Sequence, residues 1–178
     1  MTRFETFSLS AMAVLAAALV AIVPQRACAQ VLPPAVSPDL RHADTCFSRS
    51  YSDSHLRKRP RQMVSRIVAA ALDRPAGQVN LPPNTSEMLI GIQTRTSGIW
   101  KTRLAYCTFS SGATKQCQLE SDGGALTITD RPDGTILIRT RGEIRLGEED
   151  SLAEIGGAIS DDNAFILSGI GCRRAPPQ

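Results

Sequence analysis

The chain has 178 residues, 42% hydrophobic and 21% charged, with 20 Lys and Arg against 17 Asp and Glu for a net charge of +3. That length makes one domain with a real core and requires no second domain. Near-balanced charge and an aromatic content of only 4% argue against nucleic acid as a partner.

Residues 9–23 are an apolar stretch too short and too alanine-rich for a membrane span, preceded by Arg3 and followed by Ala27-Cys28-Ala29. This is the pattern of a secretory signal over residues 1–29, cut before Gln30. Acylation of Cys28 is disfavoured, because Gln25 and Arg26 stand where a lipoprotein signal needs an apolar and a small residue. The expectation is a periplasmic or secreted protein with no transmembrane segment after cleavage. Residues 30–45 carry Pro33, Pro34 and Pro38 and read as an extended lead-in to a single β domain over 46–172, with a tail at 173–178.

Residues 62–72 fit two readings. Val64, Ile67, Val68, Ala71 and Leu72 form a helical stripe, while their β-branched members favour a strand, and Pro60 and Pro75 bound the segment either way. Seven short strand-like segments follow at 88–94, 99–109, 116–120, 125–129, 135–140, 152–158 and 163–167. Their number and spacing predict a mainly β fold, a small antiparallel β-sandwich or barrel. The clearest hairpin joins Leu126-Thr127-Ile128-Thr129 to Ile136-Leu137-Ile138 through a turn with Pro132 and Gly134. In the 99–109 strand, alternation places Trp100, Thr102, Leu104 and Tyr106 on one face, expected inward, and leaves Lys101 and Arg103 exposed.

Behind an export signal, Cys46, Cys107, Cys117 and Cys172 imply two disulfides with three possible pairings. Cys107 with Cys117 is favoured, because each borders a strand-like run and Ser111-Gly112 marks the turn between them; Cys46 with Cys172 then joins the domain ends. Chain entropy gives these bridges roughly 3 and 5 kcal/mol of stabilisation respectively.

Cys46-Phe47-Ser48-Arg49-Ser50-Tyr51, followed by His55-Leu56, Pro60, Gln62, Val64, Tyr106-Cys107, Cys117, Asp122-Gly123-Gly124 and Gly171-Cys172, resembles a family of uncharacterised exported disulfide-containing proteins of alphaproteobacteria. The resemblance covers nearly the whole mature domain and implies export and disulfides, but no activity. Arg59 stands where that family has a second histidine before the proline, which puts a shared histidine-based metal site in doubt.

Several clusters carry candidate chemistry. Arg57-Lys58-Arg59-Pro60-Arg61, supported by Arg49 and Arg66, is the best binding candidate, suited to an acidic protein, glycan or lipid headgroup of the envelope. An opposite patch at Glu143, Glu148, Glu149, Asp150 and Glu154 segregates charge along the chain. Tyr51, Asp53, Ser54 and His55 contain the residue types of a nucleophile, a base and an orienting acid, but sequence adjacency does not build a triad and no nucleophile elbow is present. His42 and His55 are the only histidines, so zinc has few ligands, and Asp161-Asp162-Asn163 lacks calcium-loop spacing and reads as a turn. No cofactor is expected. The resulting expectation is an exported, non-catalytic binding or accessory protein, with an inhibitor of a cell-wall hydrolase or a small hydrolase using Ser54 and His55 as alternatives.

Overall fold

The computed structural model describes residues 43–72 and 81–170, all within the compact unit Val31–Gln178. The expected signal peptide, most of the expected lead-in, His42, Cys172 and the expected tail lie outside the described residues. Among the described residues ten strands and one short α-helix follow in order, with a single 3-10 turn at Glu149–Ser151 between the eighth and ninth strands: β1 Ala43–Ser50, α1 Asp53–Lys58, β2 Val64–Leu72, β3 Thr85–Thr94, β4 Ser97–Ser111, β5 Thr114–Leu119, β6 Ala125–Asp130, β7 Ile136–Thr140, β8 Glu143–Leu146, β9 Ala153–Gly156 and β10 Ala164–Ile170.

Eight strands close an antiparallel barrel in the order β1-β10-β7-β6-β5-β4-β3-β2, and β8 with β9 forms a separate hairpin. Of the two architectures expected from the strand pattern, this is the barrel. An eight-stranded barrel has an interior just wide enough for side chains to fill. Here the filling is Ile90, Ile92, Leu119, Leu126, Ile128, Ile136, Ile138, Phe165 and Leu167, all within one buried cluster. Strand alternation sends these residues inward while their sequence neighbours Thr127, Thr129 and Arg139 face out.

Residues 64–72 are strand β2, and the helix lies at 53–58 instead. Both faces of β2 are covered, so Ile67, Val68, Ala69 and Ala70 are buried in succession. That continuous burial removes the alternation by which an exposed strand is told from a helix. β2 pairs with β1 through Cys46↔Ala70 and with β3 through Ala69↔Ile90.

The expected inward face of β4 is reversed. Ala105 and Cys107 belong to the barrel interior, whereas Trp100 and Leu104 pack with Cys46, Ala70 and Leu89 on the outer wall. Gly91 makes this possible, because a Cβ there would lie 3.3 Å from the Trp100 ring and 2.9 Å from Val68 Cγ1.

Cys107 and Cys117 are directly opposed on β4 and β5 and form the expected disulfide, buried in the barrel. Cys46 is also disulfide-bonded; its expected pairing with Cys172 lies outside the described residues. The expected 126–138 hairpin is β6 with β7, and Gly134 takes the positive φ of +76° that its turn requires.

Candidate functional site

Because neighbouring strands are antiparallel, the connections β1–β2, β3–β4, β5–β6 and β7–β10 all emerge at one end of the barrel. Two pieces of chain cap this end. The β8–β9 hairpin contributes Ile144, Leu146 and Ile155 to the main core, a burial of about 1.5–3 kcal/mol per side chain. Its Arg145 N–H donates to Gly123 O at 2.9 Å and its Gly147 N–H to Thr102 O at 3.2 Å. Arg103, expected to be exposed, is only 12% exposed at its side chain and donates to Glu120 O and Gly147 O at 3.0 and 2.6 Å. One guanidinium thus ties β4, the β5–β6 loop and the hairpin together.

The second cap is α1. Ser52 caps its N-terminus by accepting from His55 N, and Leu56 is its buried anchor. His55 stacks on Tyr51 at 4.9 Å between ring centroids, and its Nε2 lies 2.9 Å from Gln62 Oε1. Gln62 Nε2 donates to Val64 O, so its oxygen is the acceptor and the imidazole donates from Nε2. Arg49 lies 5.6 Å over the Tyr51 ring. Burial raises the Tyr51 pKa, against the opposing influence of Arg49.

Asp162 holds this cap to the β9–β10 connection. Its carboxylate is buried and accepts from Met63 N at 2.7 Å and from Val64 N at 3.3 Å. Burial raises its pKa, while the bonds from Met63, Ser160 and Val64 pull the other way. The expected turn at 161–163 is therefore also a backbone clamp.

The sequence-predicted residues separate on this scaffold. Arg57, Lys58 and Arg59 are exposed and form no ion pair among the described residues. Arg61 is instead engaged, donating to Ala158 O at 2.9 Å and lying 3.6 Å from Asp161 Oδ1. Arg61 is an anchor of the cap, and the free strip is 57–59. Arg66 lies exposed on β2.

Arg95, which sequence reasoning missed, joins this strip. It sits in the β3–β4 turn, donates to Pro60 O at 3.2 Å, and with Arg57, Asp53 and Gln93 lines an open cleft of about 450 Å³. Strand alternation held the clue, since a β3–β4 turn must share an end with the β1–β2 connection.

The acidic patch also divides. Glu143 and Glu154 pair with Arg145 at 3.2 and 3.0 Å, and Asp122 with the same Arg145 at 3.3 Å. These carboxylates raise the Arg145 pKa, Glu154 most. Glu148, Glu149 and Asp150 remain at the hairpin tip, where they and the unpredicted Glu120 and Asp122 line an open groove of about 740 Å³.

Ser54 and His55 do not meet as nucleophile and base. Ser54 Oγ is 2.9 Å from Ser52 Oγ, while His55 Nε2 is committed to Gln62. Among the described residues no group of three His, Cys, Asp or Glu side chains is placed to hold a metal ion. No family model, curated protein or solved structure matches the chain, so its functional reading rests on this geometry.

Proposed function

We propose that the protein is an exported binding or accessory protein whose α1 cap presents a basic strip to an acidic surface of the cell envelope. The observation that carries this reading is the strip itself: Arg57 and Lys58 on the last turn of a short helix and Arg59 at its C-cap, on a segment pinned by Leu56, Gln62 and Arg61, with their charges unpaired among the described residues. A cation pinned through its backbone loses less conformational freedom on meeting a carboxylate or phosphate than one on a loose loop. The Cys107–Cys117 disulfide supports a site of action in an oxidising compartment, as does the resemblance to exported proteins of alphaproteobacteria.

The test is affinity capture from a detergent-treated envelope extract, with elution by salt. A saturable partner should be captured by the native protein and lost with Arg57→Glu/Lys58→Glu/Arg59→Glu. Equal capture by the variant would remove the strip from the mechanism.

A further inference from the structure

The closed end of the barrel carries charges of both signs, on different sides of its mouth. Arg57, Lys58, Arg59 and Arg95 occupy the β1–β2 and β3–β4 connections. Glu120 belongs to the β5–β6 loop, and Glu148, Glu149 and Asp150 to the β8–β9 tip. All four of these acids are exposed and form no ion pair among the described residues.

The two lips do not neutralise each other within one molecule. The basic cleft reaches β4 at Ser97 and Gly98, and the acidic groove reaches it at Thr102 and Arg103. Four to six residues of strand separate these points by roughly 13–20 Å along β4, more than the screening length of about 8–10 Å at moderate salt. The same end carries three of the five large apolar side chains exposed among the described residues: Ile99 at 66%, Ile159 at 44% and Leu152 at 38%.

We infer that this end is a self-complementary docking surface for a second copy of the chain, the basic lip of each copy lying against the acidic lip of the other. A two-fold axis in the plane of the mouth, running between the lips, exchanges them, so one contact satisfies both charge sets and closes as a dimer. Ile99, Leu152 and Ile159 supply the apolar part of the contact. Exposed ion pairs are individually weak, so the dimer is weak and salt-sensitive. It shares the basic strip with the function proposed above and therefore competes with capture of an envelope partner. Only self-association needs the acidic lip, which makes the two separable.

The test is sedimentation equilibrium of the purified chain and two charge-reversal variants, Arg57→Glu/Lys58→Glu/Arg59→Glu and Glu148→Lys/Glu149→Lys/Asp150→Lys. The native chain should dimerise at about 0.05 M salt, with a dissociation constant at least tenfold higher at about 0.5 M. Each variant alone should be monomeric, and an equimolar mixture should recover a dimer, because one variant then carries two acidic lips and the other two basic ones. All six substituted side chains are exposed, and circular dichroism checks that both variants fold. A native chain that stays monomeric at its highest soluble concentration in low salt overturns the inference, as does a folded pair that remains monomeric when mixed. The acidic-lip variant should still capture the envelope partner, so loss of self-association with capture intact separates this inference from the proposed function.

Discussion

Replacing Asp162 by alanine removes the carboxylate that clamps the start of β2 to the approach to β10. Its side chain accepts the Met63 N–H at 2.7 Å and shares the Val64 N–H between both oxygens at 3.3 Å. Val64 is 0% and Asp162 2% exposed, so water cannot easily take over the Val64 donor. Stranding that donor costs about 1–3 kcal/mol, and losing the charge-assisted bond to the half-buried Met63 about 1.5 more. The sum is about 2.5–4.5 kcal/mol, or a fall in Tm of roughly 5–18 °C for a domain of this size. Asp162→Asn keeps one acceptor oxygen and should cost about 1 kcal/mol. Urea denaturation of the three proteins at neutral pH measures both values. Alanine within about 0.5 kcal/mol of native would refute the clamp.

The pH dependence supplies an independent check. Burial raises the Asp162 pKa, so the folded state binds this proton more tightly than the unfolded chain does. The resulting stabilisation is complete below the unfolded carboxyl pKa of about 4 and is lost as pH rises through the raised folded value. The stability of the native protein relative to Asp162→Asn should therefore fall as pH rises above about 4. A difference that rises over that interval would show that the backbone hydrogen bonds outweigh burial.

Arg103→Ala should destabilise by about 2–3 kcal/mol and speed amide hydrogen exchange at 120–124 and 145–147, because it cuts two bonds to carbonyls; Arg103→Lys should not restore protection, having no fork to span both. Gly124→Ala should cost more than Gly134→Ala although both have positive φ, since a Cβ at Gly124 would lie 2.6 Å from Glu143 O while that at Gly134 meets open space. The left-handed penalty alone is about 1–2 kcal/mol, and paired thermal melts measure the excess at Gly124. The Cys107–Cys117 bridge, with its sulfur-bearing residues 0% and 3% exposed, should resist dithiothreitol in the native state and open once denaturant is added. Rapid native release of its two thiols, counted by mass after alkylation, would contradict its place in the barrel.

Much of the barrel is legible in local patterns. Leu126, Ile128, Ile136 and Ile138 alternate with polar or outward residues around a Pro-Asp-Gly turn, so β6 and β7 declare themselves. β1 is missed because Thr45-Cys46-Phe47-Ser48-Arg49-Ser50 has few apolar residues and derives its strand form from pairing with β2 and β10. β8 is missed for the same reason: of four residues, only Ile144 and Leu146 are apolar, and they gain meaning by plugging the mouth. The Trp100 face runs against its size, which points to the core, because Gly91 provides a seat for the ring on the outer wall.

The sequence by itself determined the strand-rich class and the existence of a basic run and an acidic run, and it favoured the Cys107–Cys117 pair among three pairings, because alternation, turn residues and charge are local properties. Only the tertiary structure decided that the sheet closes into a barrel, that Arg61, Glu143 and Glu154 are engaged while Arg57 to Arg59 and Glu148 to Asp150 form no ion pair among the described residues, and that Arg95, Glu120 and Asp122 join them at one end. The physical reason is closure: antiparallel pairing around a ring brings every second connection to the same mouth, whatever its separation along the chain.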